Sequence, residues 1–169
     1  MAGQQRCLVM VPLKRDQLRA LRDGGGLPGP LPGVTPSAAL AETFDLPLGK
    51  DTEDTEAAAL QVADVYGLCA VYDGPQPGQS LVWRCVVVAS APVADVTPVA
   101  SDEANGRVQM DGLATLSVQS IFEGWCDDAV ATAAKGLDID SAWSLPSVQT
   151  MLAEAPLAWH DRSELSVIV

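Results

Sequence analysis

Histidine occurs once in this 169-residue chain, at position 160. That scarcity removes metal sites built on histidine clusters and argues against a Cys2His2 zinc site. Cations are also few. Lys and Arg total 10 against 22 Asp and Glu, a net charge of −12. Nucleic-acid binding rests on Lys and Arg neutralising phosphates, so this balance excludes nucleic acid as an expected partner. It favours solubility and suits the steering of a basic partner. No apolar stretch approaches the ~18 residues of a membrane span, so no membrane association is expected. The apolar run Cys7–Leu13 contains Pro12 and leads into Lys14-Arg15, which does not fit a secretory leader. No Gly-x-Ser-x-Gly, Walker, Rossmann or zincin pattern is present, nor an internal repeat or low-complexity tract. No cofactor is expected.

The four cysteines, Cys7, Cys69, Cys85 and Cys126, form no Cys-x-x-Cys pair. Three sit inside apolar patterns. They read as reduced core thiols of a cytoplasmic protein, although an even count also permits a disulfide. The length fits a single α+β domain over residues 1–169 that buries roughly 70% of its unfolded surface.

Leu81 to Ala91 is the longest β-branched and apolar run. It reads as a central strand, with Trp83, Cys85, Val87 and Ala89 on one face and Val82, Arg84, Val86 and Val88 on the other. Arg84 is the only polar residue on either face. Cys7–Val11 is a short strand that Pro12 ends. Lys14–Arg22 reads as a helix with an apolar stripe of Leu18 and Leu21, preceded by Leu13, and Arg15, Arg19 and Arg22 opposite. That basic face is either a docking face for an anion or acidic partner or, the reading preferred here, a solvated face paired with the protein's own carboxylates. Gly24–Gly26 follow a helix rather than precede one, so they do not form a phosphate cradle.

Thr35 and Pro36 suit the cap and first position of a short helix reaching Thr43, and Phe44–Gly49 reads as a loop. The main helix is expected over Thr52–Tyr72, capped by Asp51 or Thr52, with Glu53, Asp54 and Glu56 in its first turn. Ala58, Val62, Val65, Cys69 and Tyr72 form its buried stripe, and only Gln61 and Asp64 are polar beyond that turn. Gly67 points to close packing there. Arg107–Met110 reads as a strand, Asp111-Gly112 as a two-residue hairpin turn, and Leu113–Phe122 as the returning strand, with Ala114, Leu116, Val118 and Phe122 facing inward. Helices are expected from Asp127 or Asp128 to Lys135 and over Leu145–Ala155. The expected fold is therefore a mostly antiparallel sheet of about four strands (Cys7–Val11, Val82–Ala91, Arg107–Met110, Leu113–Phe122). Helices would pack on one face, and a ferredoxin-like arrangement is one option.

Chemistry-bearing combinations are sparse. Cys126 with His160 could be written as a dyad, since Cys126 precedes a helix start where the dipole lowers a thiol pKa. The carboxylate pairs Asp51/Asp54, Asp127/Asp128 and Asp138/Asp140 sit in no pattern that fixes a shared proton or a metal. Asp138-Ile139-Asp140 matches only the first three positions of a calcium loop. The tail is apolar at its end. Leu165, Val167 and Val169 alternate with other residues as in an extended segment, which is expected to dock on the protein's own sheet or on a partner, with Trp159 as a nearby anchor.

Leu157-Ala158-Trp159-His160-Asp161-Arg162-Ser163-Glu164-Leu165 resembles the Trp-Tyr-x-x-x-Glu-Leu ending of a family of small actinobacterial proteins, a domain of unknown function. Val9–Pro12, Leu18–Leu21, Gly33–Pro36, Glu53–Ala63 and Val86–Val96 are similar to that family as well. The chain departs from it at Ile121-Phe122-Glu123-Gly124, where His-Val-Asp-Asp is usual, and at His160, where tyrosine is usual. The resemblance implies a cytoplasmic actinobacterial protein and no particular activity. The functional expectation is a non-catalytic protein-interaction or regulatory module with a protein partner. Its candidate surface is Arg15, Arg19, Arg22, Trp159, Leu165, Val167 and Val169. A structural subunit of a larger assembly, for example a phage-associated one, is a second reading. A small enzyme using Cys126 or scattered carboxylates is a third.

Overall fold

The computed structural model describes residues 3–47 and 52–169. The strands are β1 (Arg6–Pro12), β2 (Leu27–Val34), β3 (Leu81–Pro92), β4 (Val96–Pro98), β5 (Arg107–Leu113), β6 (Val118–Asp127) and β7 (Ala158–Asp161). The helices are α1 (Arg15–Arg22), α2 (Ala38–Thr43), α3 (Thr52–Ala70), α4 (Asp128–Ala134), α5 (Ile139–Trp143), α6 (Pro146–Glu154) and α7 (Leu165–Ile168). The sheet has seven strands in the order β4-β5-β2-β1-β3-β6-β7, not about four, which takes it outside the four-stranded ferredoxin-like arrangement. Every pairing is antiparallel.

β3 lies inside the sheet between β1 and β6, and its two faces divide as its alternation predicts. Val82, Val86 and Val88 join Met10, Val34, Val62, Val65 and Met151 in a core layer under α3 and α6. Cys85, Val87 and Ala89 join Val9, Val11, Leu18, Leu21, Ile121 and Leu165 in a second layer under α1 and α7. Helices therefore cover both faces, whereas the sequence suggested one. The difference comes from α1 and α7, short helices that cap the second layer with only a few large side chains each.

The three unanticipated strands have identifiable causes. β2 reads Leu-Pro-Gly-Pro-Leu-Pro-Gly-Val, and proline within a run normally argues against a strand. Its backbone still pairs with β5, through an irregularity between Pro28 and Leu31. It meets β1 only at Met10 opposite Val34, beyond the last proline. Gly29 is required here: a Cβ would lie 2.0 Å from the carbonyl oxygen of Asp111. β4 and β7, with three and four residues, are too short to show a period.

Three local expectations are corrected. Asp111-Gly112 is not a hairpin turn; both residues lie inside β5, with Gly112 opposite Pro28 of β2. β5 pairs with β2 and β4, and β6 with β3 and β7. Second, Leu113–Phe122 is not one alternating strand. A 3-10 turn at Thr115–Ser117 intervenes and leaves Leu116 86% exposed. A register irregularity opposite Val88/Ala89 then places Val118 and Ile121 on the same layer. Third, Ser37, not Thr35, caps α2, accepting from the Leu40 amide at 3.1 Å. The Thr35 hydroxyl donates instead to the Leu8 carbonyl at 2.8 Å. Asp51, one expected cap of α3, lies outside the described residues. At the sheet edge, the Asp161 amide of β7 donates to Glu164 Oε2 at 2.8 Å.

Candidate functional site

α3 crosses the sheet because its stripe of Ala58, Ala59, Val62, Ala63 and Val65 is buried against β1 and β3. Asp64 of α3 meets Arg84, the one charged residue of β3. Their ion pair is the polar centre of the core, with side chains 3% and 0% exposed. The Arg84 guanidinium also donates to the carbonyls of Ala155 and Trp125. The Tyr72 hydroxyl donates to Asp64 Oδ1 at 2.9 Å. Tyr72 reaches back because Gly67 has no side chain; a Cβ there would fall 2.2 Å from the Tyr72 ring. Burial pushes the Asp64 carboxyl above its ordinary range, while Arg84 and the Tyr72 hydroxyl pull it down. The Tyr72 phenol is pushed well up, by burial first and then by Asp64. Every charged atom of this group except Arg84 Nε has a partner, which marks it as structural.

A concavity opens beside the first turns of α3. It encloses about 420 Å³ and is floored by Leu8, Met10, Val88 and Phe122. Trp159 of β7 forms one wall; Glu53, Glu56, Ala57 and Leu60 of α3 form the other. These α3 residues recur at spacings of three and four, so they share one side of the helix. Floor and wall together cross four neighbouring strands, β1, β3, β6 and β7, because Met10 pairs with Val88, Val88 with Ser120, and Phe122 with Trp159. A smaller cavity lined by Leu152, Pro156 and Leu157 shares Ala57 and Leu60 and continues the groove along α3. Trp159 is 60% exposed, high for the largest apolar side chain.

The expected surface residues fall into two groups. Arg22 Nη1 donates to the Val169 carbonyl at 2.8 Å, so α1 and the tail do meet. The tail is helical, not extended. Leu165 is buried in the second layer, Ile168 and Val169 pack partly against it, and Val167 is 83% exposed. Arg19 pairs with Asp16 at 2.8 Å and Arg22 with Asp23 at 3.0 Å. Arg15 is half-buried, its guanidinium 4.6 Å from the centre of the Trp83 ring and 5.7 Å from that of Trp125. Trp159 is not the tail's anchor. It stands opposite Phe122, on the α3 side of the sheet, while Leu165 is buried on the α1 side. The groove went unrecognised in the sequence because β7 carries no strand signal that would place Trp159 beside Phe122.

The Cys126–His160 dyad is not assembled. Cys126 belongs to the α3-side core. His160 pairs in register with Ile121, whose side chain lies on the opposite side. There its Nε2 lies 3.3 Å from Glu123 and its Nδ1 3.7 Å from Glu164. The helix start does not activate Cys126. Burial pushes its thiol up to about 11, and Asp64, Asp127 and Asp128 push the same way against Arg84. Asp138 caps α5 by accepting from the Ser141 amide at 2.7 Å, and Asp140 accepts from Asn105 at 3.0 Å. Among the described residues no three His, Cys, Asp or Glu side chains gather where they could hold a metal, and no helix is long and apolar enough to cross a membrane.

A family model matches residues 7–169, and it is that of a family of unknown function, DUF6912; the chain belongs to that family. No curated protein matches the chain, and no solved structure does.

Proposed function

We propose that this chain is a non-catalytic interaction module that engages a protein partner through the groove between α3 and β7. The supporting observation is Trp159, 60% exposed on an edge strand at the wall of an open, apolar-floored groove. Aromatic anchors beside apolar clefts dominate the energetics of protein contacts. By contrast, Cys69, Cys85 and Cys126 are buried, Asp138 caps α5 and Asp64 is held in the core ion pair. The test replaces Trp159 with a photo-crosslinking phenylalanine analogue in the native host. A discrete adduct is expected, whose purified partner binds the Trp159→Ala variant at least about tenfold more weakly. The same probe at Leu116 should not give that adduct. A partner that binds Trp159→Ala as well as the parent protein would defeat this reading.

A second reading, a subunit of a larger assembly, draws on Leu116 and Val167, 86% and 83% exposed. Both neighbour the end of α1, where the Thr115 hydroxyl donates to the Leu21 carbonyl and Arg22 to the Val169 carbonyl. Sedimentation at rising concentration, with Leu116→Ser and Val167→Ser as controls, tests it.

A further inference from the structure

We propose that the cleft between the start of α1 and the segment 73–79 binds a neutral saccharide, whose neighbouring hydroxyls bridge Arg15 and Asp73 and whose C–H face lies on the Trp125 indole. The site is on the α1 side of the sheet and does not depend on the α3–β7 groove.

The cleft starts from a cross-strand pair. β3 and β6 set Trp83 opposite Trp125, so both indoles project from one face of the sheet. Trp83 packs against the layer under α1, and its Nε1 donates to Glu123 Oε2 at 2.8 Å. Trp125 is 41% exposed, and its indole N–H has no protein acceptor among the described residues. Arg15 lays its guanidinium 4.6 Å from the centre of the Trp83 ring. The donors of a guanidinium lie in its plane, so stacking holds the group in place without using them. Asp73, Gln76 and Gln79 stand on the other wall, with a turn linking the Gln79 amide to the Gln76 carbonyl at 2.9 Å. The cleft encloses about 310 Å³, at the lower end of the range for small-ligand sites, about 300–1,000 Å³.

The argument turns on two opposite charges that share a cleft and do not meet. Arg15 and Asp73 both line it, yet among the described residues neither makes an ion pair or a side-chain hydrogen bond. Arg19 and Asp16, on the same lining, do pair, at 2.8 Å. An anion that reached Arg15 would face Asp73, and a cation at Asp73 would face Arg15. A hydroxyl accepts from the guanidinium and donates to the carboxylate, so it satisfies both. The carboxamides of Gln76 and Gln79, exposed and likewise unpaired, both donate and accept, as a ring of hydroxyls requires. Two arginines and two aspartates line the cleft, so their charges cancel. The exposed indole adds a flat apolar surface with a polar edge, which suits the C–H side of a sugar ring.

The test titrates the full chain with the methyl glycosides of glucose, galactose and mannose, whose ring hydroxyls include cis and trans neighbours. The uronate and the amino sugar of each serve as anionic and cationic counterparts. Binding is followed by NMR of the indoles and side-chain amides, with Trp83 and Trp125 assigned by Trp83→Phe and Trp125→Phe. At least one neutral glycoside should shift the Trp125 indole and the Gln76 and Gln79 amides together and leave Trp159 unmoved. It should bind at least about tenfold more tightly than its charged counterparts. Asp73→Asn should weaken it about tenfold, because a hydrogen bond to a charged group is lost. The same change should narrow its advantage over the uronate, because the opposing carboxylate is gone. Asp73 is exposed and unpaired, so this variant should melt as the parent does. A uronate that binds the parent more tightly than the neutral glycoside would make this an anion site and overturn the proposal. No shift at Trp125 with any sugar, equal shifts at Trp159, or affinity unchanged by Asp73→Asn would overturn it as well.

Discussion

Arg84 and Asp64, 20 residues apart in the chain, meet as an ion pair closed off from solvent where β3 passes beneath α3. Taking two charges out of water is costly, and the pair is maintained because each charge is the other's partner. Arg84 further binds two backbone carbonyls, from β6 and from the end of α6, so one side chain ties together three segments.

Replacing Arg84 with methionine should therefore destabilise the protein by about 3–5 kcal/mol, more than the double change Asp64→Leu with Arg84→Met. The loss should depend on pH. Burial already pushes Asp64 up, and without the guanidinium little opposes that shift. The folded variant then holds a proton that the unfolded chain releases above about pH 4. Its deficit should be largest near neutrality and shrink as the pH falls towards about 5. Urea titrations of parent and variant across that range measure the gap; a pH-independent gap would contradict the assignment.

The cysteines should label in two classes. Cys69 and Cys126 are pushed up to about 11, and Cys85, fully buried, far higher. All four are free thiols, with Cys7 the most accessible. At about pH 8 a thiol-exchange reagent should consume one thiol rapidly in the native state and three more on unfolding, since the thiolate is the reacting form. A rapid phase of two or more thiols would show that one of the buried sites opens.

Gly67→Ala should be destabilising despite alanine's advantage of about 1 kcal/mol in a helix. The new Cβ would meet the Tyr72 ring, and overpacking costs about 1–3 kcal/mol. In a Tyr72→Ala background the same change should be neutral or stabilising. A thermodynamic cycle of the four proteins reads the coupling.

Leu165→Ala should cost about 2–4 kcal/mol, because the side chain is buried against the α1 layer. Val167→Ser, two positions away, should change stability by less than about 0.5 kcal/mol. Equal effects would mean that the final helix does not dock as described.

The sequence made the strongest periodicities legible. The alternation of Leu81–Ala91 identified both faces of β3, and the four-and-three spacing of α3 identified its buried side. Arg84 and Asp64 stood out individually as polar exceptions. What brings them together is the crossing of helix over strand, which neither local pattern encodes. β2 was hidden by prolines whose missing donors fall where the strand has no β1 partner. Asp111-Gly112 carried a turn signal, yet Gly112 serves a close approach to β2 instead. Trp159 was noticed as an aromatic near the tail, but its role as a groove wall depends on a four-residue strand pairing with β6. Of the tail residues expected to dock, Leu165 is buried whereas Val167 is exposed, and the missed helical turn follows from a segment too short to display a period.

The two borders of the sheet have a consequence for how the molecule behaves when crowded. β4 is three residues long and ends in Pro98, which has no amide hydrogen to give. β7 is four residues long, and the carboxylate of Glu164 occupies the Asp161 amide. A neighbouring molecule searching for a strand to extend meets one border that runs out of donors and another where a donor is already taken. Filament growth by edge-to-edge addition is thereby starved at both ends, and contact between neighbouring molecules is left to side chains rather than to a continuous backbone ribbon.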